Sequence, residues 1–166
     1  MKIGLLSLGC PKNLVDSEVM LGLAQSAGHD LTNDPSAADV LVVNTCAFID
    51  SAKQESIDTI LEMAQYKKDG ACRRLIVTGC LAERYRDDLK AQIPEIDAVL
   101  GTGEVPEIVG AIGDDARLKP RAPSAVPMTF FGTRPLAPRP QPLPTYIYDA
   151  DTPRLLATPR QPSCWQ

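Results

Sequence analysis

The first 113 residues alternate short apolar runs with longer stretches whose apolar positions recur at helical spacing. Residues 3–8 form the first run. Residues 13–27 then read as a helix, with Leu14, Val15, Met20, Leu21 and Ala24 near one face and Gly28 as a stop just past its end. Residues 40–43 are a second, valine-rich run. Ser51 and Gln54 have the spacing of a capping box, ahead of a helix carrying Ile57, Ile60, Leu61 and Ala64. Residues 75–78 are a third run, and 81–93 read as a charged helix halted by Pro94. A short last strand at 98–100 and a short helix at 105–112 complete the pattern. The strand-like runs are continuously apolar, which is the mark of strands buried on both faces. The expected fold is α/β: a doubly wound, mostly parallel sheet, flavodoxin- or Rossmann-like, with helices on both faces.

The pattern changes after Gly113. Of the 15 prolines, only Pro11, Pro35, Pro94 and Pro106 precede that point. Residues 114–144 read as an extended Pro-rich linker in which no helix can form. Thr145 to Asp149 suit a short strand, and 145–166 are expected to be an irregular start of a further region. Hydrophobic residues make up 44% of the chain, enough for a packed core in the first 113 residues. The net charge of -4 argues against a whole-chain nucleic-acid footprint, which is normally basic. No apolar run spans a bilayer, so no membrane association is expected. Cys10 also comes too soon after the start for a secretory leader. The expectation is a cytoplasmic monomer whose thiols stay reduced.

Five cysteines then need a purpose. Cys10, Cys46 and Cys80 each follow an expected strand. In a parallel sheet such positions gather at one edge, beside helix N-termini, where open α/β folds bind ligands. Three converging thiolates suit an iron–sulfur cluster, and helix-terminal amides favour its negative charge. Gly9 and Gly79 let the backbone approach closely, and Lys12 adds a positive charge. Three ligands to a four-iron cluster would leave one iron open. Other readings compete. Each cysteine can be a small core residue. Zinc in a Cys3His set would need His29, the only histidine, which falls at the far edge. Cys72 precedes its strand and is left out of the site, and Cys164 reads as a free surface thiol. Asp16, Ser17 and Glu18 read as first-turn capping and dipole residues, Asp50 and Ser51 as helix caps, and Asn44 and Thr45 as supports for Cys46 or plain strand ends. Lys67, Lys68, Arg73 and Arg74 read as a solvated face.

These residues carry a resemblance. Ser7-Leu8-Gly9-Cys10-Pro11-Lys12-Asn13-Leu14-Val15-Asp16-Ser17-Glu18 resembles the opening motif of the radical-SAM methylthiotransferases. Asn44-Thr45-Cys46-Ala47-Phe48-Ile49-Asp50-Ser51-Ala52 and Val77-Thr78-Gly79-Cys80-Leu81-Ala82-Glu83-Arg84-Tyr85 resemble the second and third. Pro11-Lys12-Asn13 is similar to the RimO branch, which modifies an aspartate of a small-subunit ribosomal protein. The tRNA-modifying MiaB branch usually has Gln-Met-Asn there. The resemblance covers 1–113 and resumes over 144–154. It implies that Cys10, Cys46 and Cys80 hold an auxiliary 4Fe–4S cluster whose open iron carries the transferred sulfur. It also implies a second 4Fe–4S cluster, on a Cys-x-x-x-Cys-x-x-Cys motif, that cleaves S-adenosylmethionine in a full-length member. Cys164 is the only cysteine after Cys80, so that motif is absent, and residues 161–166 look unrelated to the family. The expectation is the N-terminal, auxiliary-cluster domain (residues 1–113) of a truncated chain without radical-SAM activity of its own and with no catalytic residue of its own assigned. The rival readings are a MiaB-like tRNA methylthiotransferase fragment, a flavin- or nucleotide-binding module, and an inert fragment. Against the nucleotide reading, Gly9-Cys10-Pro11-Lys12-Asn13 is not Gly-x-Gly-x-x-Gly, and Gly101-Thr102-Gly103 lacks the third glycine.

Overall fold

The computed structural model describes residues 1–113 and 152–155. The linker at 114–144, the expected strand at 145–149 and Cys164 lie outside the described residues.

Five strands form one sheet in the order β2-β1-β3-β4-β5: β1 (Lys2–Ser7), β2 (Asp30–Thr32), β3 (Val40–Thr45), β4 (Arg74–Gly79) and β5 (Ala98–Leu100). Every pairing is parallel. The doubly wound α/β expectation therefore holds, with the flavodoxin-like strand order. All six residues of β3 are buried, which explains its unbroken apolar pattern. Along β3 the side chains alternate between two cores. Leu41 and Val43 pack with Ile60, Met63, Leu75, Val77, Leu81 and Leu89, beneath α2 (Asp50–Asp69), α3 (Cys80–Arg84) and α4 (Arg86–Gln92). Val40 and Val42 pack with Val19, Met20, Ile76, Ile108 and Ile112, beneath α1 (Pro11–Ser26) and α5 (Ile108–Ile112). Connections leaving β1 and β3 thus go to opposite faces, and the topological switch point lies between those two strands.

Helix α1 ends as its sequence suggests. Gly28 has φ 84, its amide donates to the Gln25 carbonyl, and the His29 amide donates to that of Ala24. This is the paired bonding of a Schellman end, and only glycine takes that conformation without strain.

Several expectations are corrected. The edge strand β2 was not foreseen, because three residues carrying one apolar side chain give no strand signal. The helix expected over 81–93 is two helices, broken at Tyr85 with φ -126 and ψ 33. The capping box does not form. α2 starts at Asp50 with Ile49 at its N-cap, and Gln54 instead donates to Asp58 at 2.8 Å. Asp50 and Ser51 are therefore not caps, and Asp50 pairs with Lys53 at 2.7 Å. α1 starts at Pro11, so Asp16, Ser17 and Glu18 lie beyond its first turn, and all three are buried. The basic residues near β4 are not merely solvated. Lys67 pairs with Asp97 at 2.6 Å, and Arg74 donates to the carbonyls of Ala111 and Gly113.

The sheet centre carries the stability. Ile76, wholly buried between β3 and β5, should lose about 2–5 kcal/mol when truncated to alanine. Leu61→Ala, at a half-exposed position on α2, should stay within about 0.5 kcal/mol. Urea midpoints at unchanged slope check both values.

Candidate metal centre

The register of the sheet decides where the cysteines go. Ser7 pairs with Asn44, and Asn44 with Thr78, so β1, β3 and β4 end in line. Cys46 and Cys80 follow the next paired residues, Thr45 and Gly79, and Cys10 follows β1 by three residues at the N-cap of α1. All three sit at the C-terminal edge, flanking the switch point. Cys10 is exposed, Cys80 partly buried and Cys46 buried. Cys72 lies at the opposite end of β4, in the core, with its thiol donating to the Arg74 carbonyl at 3.2 Å. His29 precedes β2 at that far edge too.

Two asparagines bolt this edge together. The Asn13 side chain, wholly buried, donates to the carbonyls of Leu8 (2.8 Å) and Thr45 (2.9 Å), bridging the turns that lead to Cys10 and Cys46. Asn44 donates back to the Asn13 carbonyl (2.8 Å) and to the Ser17 hydroxyl (2.9 Å). Thr45 donates to the Thr78 carbonyl at 2.6 Å, joining β3 to β4 just before Cys80. The Ser56 hydroxyl accepts from the Cys46 amide (3.1 Å) and donates to the Cys46 carbonyl (3.0 Å), so α2 grips that residue directly. Arg84 donates to the Ala47 carbonyl at 3.2 Å. Asn44 and Thr45 bond to Asn13, Ser17 and Thr78 and not to Cys46, whose backbone is held by Ser56. Asn13, Ser56 and Arg84 were not assigned a supporting role. Asn13 stood inside the first motif, but no spacing rule shows that a side chain will reach a strand 32 residues away.

Glycine is required at two points. Gly9 has φ 93, and a Cβ on it would lie 2.8 Å from the Cys46 sulfur. Gly79 has φ 98, and a Cβ there would run into the Asn44 side chain and the Thr45 backbone.

The thiols are not equivalent. The amides of Asn13 and Lys12, with the Lys12 charge behind them, hold the Cys10 thiol below the usual range. Burial pushes the Cys80 thiol up; Lys12 and Arg84 oppose this, while Cys46 and Cys10 add to it. Burial likewise pushes Cys72 up. Lys12 also pairs with the buried Asp16 at 2.7 Å.

A protein-family model described as "Uncharacterized protein family UPF0004" matches residues 2–101. The chain belongs to this family. The UPF0004 match takes in all three edge cysteines together with Asn13, Asn44, Ser56 and Arg84. The chain is similar to proteins named ribosomal protein uS12 methylthiotransferase RimO. That of Solibacter usitatus is 52% identical over 96% of this chain and 30% of the relative. That of Koribacter versatilis is 46% identical over 96% and 36%, and that of Lachnoclostridium phytofermentans 68% identical over 61% and 23%. The chain spans about a third, or less, of the length of these curated relatives.

The donor set at this edge, three thiols, is of the kind that ligates iron–sulfur clusters. Among the described residues, no three His, Cys, Asp or Glu side chains meet closely enough to hold one metal ion. Thiols that ligate separate irons of a cluster need not meet at one point. The donors are all sulfur, and the missing side chain of Gly9 leaves the Cys46 sulfur its space. The Cys3His zinc set finds no support, since His29 is at the other edge.

Gly79→Ala should cost more than the roughly 1–2 kcal/mol of left-handed strain that Gly28→Ala incurs, because Gly28 has open space around it. Thermal unfolding of the two variants checks the order. In metal-free protein, iodoacetamide should modify Cys10 first and Cys72 last. The thiolate is the reactive form, so labelling of Cys10 should persist to lower pH than that of Cys72, read by mass spectrometry across a pH series.

Proposed function

We propose that residues 1–113 are the auxiliary 4Fe–4S cluster domain of a methylthiotransferase that adds a methylthio group to an aspartate of a small-subunit ribosomal protein, using S-adenosylmethionine. The observation that carries this reading is the placement of Cys10, Cys46 and Cys80 just past three in-register strand ends at one sheet edge. Similarity to proteins whose printed name is ribosomal protein uS12 methylthiotransferase supports the choice of reaction and of protein substrate. The negative net charge favours a protein substrate over tRNA.

In this reading Cys10, Cys46 and Cys80 hold three irons of the cluster. Bound there, the cluster supplies one iron without a protein ligand, open to a sulfur donor. The chain's own residues do the rest. The amides of Lys12 and Asn13 and the Lys12 ammonium stabilise Cys10 as a thiolate before metal arrives. Ser56 fixes the Cys46 backbone, and Asn13 keeps the two turns at one separation. Asn13 also closes the bottom of the switch-point crevice, where a flavin or nucleotide would sit in a fold of this strand order. The 166 residues hold no Cys-x-x-x-Cys-x-x-Cys, so reductive cleavage of S-adenosylmethionine is assigned to polypeptide outside this chain. Among the described residues no helix is long and apolar enough to cross a membrane. A ribosomal-protein substrate would put the reaction in the cytoplasm.

Iron and acid-labile sulfide per chain, measured after anaerobic reconstitution, test the reading. About four irons per chain are expected, with a broad brown absorption, lost in Cys10→Ala, Cys46→Ala and Cys80→Ala and kept in Cys72→Ala and Cys164→Ala. A folded wild type that takes up no iron overturns it, and a structured yellow spectrum would point to a flavin.

A further inference from the structure

Glu83 stands in the third cysteine motif, and Gly101-Thr102-Gly103 follows β5 without making a nucleotide loop. The fold brings the two together. Cys80 is the first residue of α3, a helix of only five residues. So short a helix holds its own direction poorly, because most of its backbone groups lie at its ends. Its N-cap, Gly79, has no side chain with which to anchor it. Leu81 and Ala82 bury one side of it in the core. Two consecutive residues then reach to different neighbours. Arg84 donates to the Ala47 carbonyl, in the loop after β3, at 3.2 Å. The Glu83 carboxylate accepts from the Thr102 amide, in the loop after β5, at 3.1 Å. β4, which leads into α3, lies between β3 and β5 in the sheet. The helix that begins with Cys80 is thus tied to both flanking loops.

The far end of the second tie is a closed turn. The Glu104 amide donates to the Gly101 carbonyl at 3.1 Å, and the Gly101 amide donates back to the Glu104 carboxylate at 2.7 Å. Arg86, at the start of α4, pairs with that same carboxylate. Gly101 does not take positive φ, so its glycine serves space and not backbone conformation. A Cβ there would run into the Glu83 carboxylate and come within 3.1 Å of the Arg86 guanidinium. The glycine makes the room in which Glu83 reaches the Thr102 amide. We propose that Glu83 is a positioning residue for Cys80. Bound to the turn at 101–104, it braces α3 from the β5 side as Arg84 does from the β3 side. The two together set where the Cys80 thiol stands relative to Cys10 and Cys46. The consequence for a cluster rests on the proposed function; the brace itself does not.

Thiol labelling of the metal-free protein tests the brace, with Cys10 as the reference inside the same chain and mass spectrometry to assign each site. Glu83→Ala removes the carboxylate, and Gly101→Ala displaces it without backbone strain. Each should raise the ratio of Cys80 to Cys10 labelling by iodoacetamide about threefold or more, because the half-buried thiol is freed as α3 loosens. Glu83→Gln keeps an oxygen for the Thr102 amide and should hold the wild-type ratio. Cys72, in the core away from this edge, reports general unfolding, and its labelling should not rise. An unchanged ratio in either alanine variant overturns the proposal. So does a rise at Cys72 that matches the one at Cys80. So does Glu83→Gln behaving as Glu83→Ala, since lost charge would then be the cause. With iron loaded, both alanine variants should surrender it to a chelator about threefold faster or more than the wild type, and equal rates would overturn the proposal as well. A wild type that takes up no iron overturns the cluster reading alone, and the labelling ratio still decides the brace.

Discussion

Two hydrogen bonds from one buried amide, Asn13, hold the ends of β1 and β3 together where the connections of the sheet part to opposite faces. In a doubly wound sheet that parting opens a crevice, and the crevice is normally the ligand site. Here Asn13 spans its floor, and Asn44 returns a bond from the other side. Among the described residues, the buried amide oxygens of both asparagines meet no hydrogen-bond donor. Four side-chain hydrogen bonds from the two asparagines converge on this junction. What it provides is a fixed separation between two turns, and each turn carries a cysteine.

The environments of those cysteines follow from this constraint. Cys10 stands at a helix N-cap in solvent, beside amides and Lys12, and is held toward thiolate. Cys46 is buried behind it, against Gly9 and in the grip of Ser56. Cys80 is half covered, at the start of α3, and its thiol is pushed up. One sheet edge thus presents three thiols that differ in access, two of which, Cys10 and Cys80, are shifted in opposite directions. Both glycines that border them take positive φ, and a side chain on either would run into a neighbour, Cys46 at Gly9 and Asn44 and Thr45 at Gly79.

α1 serves both the edge and the exit of the chain. Its first turn carries Asn13, its middle carries Ser17 toward Asn44 and Glu18 toward Arg154, and Gly22 admits the returning backbone. This is why polar residues are buried along a helix whose apolar residues alone would pack it on the sheet. A surface helix would carry such residues outward. Here they join the helix to the strand ends on one side and to residues 152–155 on another.

Much of this was legible in the residues alone. Continuous apolar runs separated by helical periodicity determine a parallel, doubly covered sheet, because only strands buried on both faces read that way. The position of Cys10, Cys46 and Cys80 after three such runs determines their common edge, because parallel strands all point the same way. Gly28 marks a helix end for a reason local to its own backbone. Tertiary structure decided the rest. β2 exists only because Lys2, Ile3 and Gly4 offer it an edge to pair with. Ser51 and Gln54 have the right spacing for a cap, yet the N-cap of α2 is Ile49, two residues before Ser51. Asp16, Ser17 and Glu18 look like first-turn capping and dipole residues until the helix start and its buried face are known. The roles of Asn13, Ser56, Gly22 and Glu18 rest on partners 5 to 137 residues away. Spacing along a chain encodes local conformation and the direction of strands, whereas contacts between distant side chains arise only once the sheet's register has brought them together.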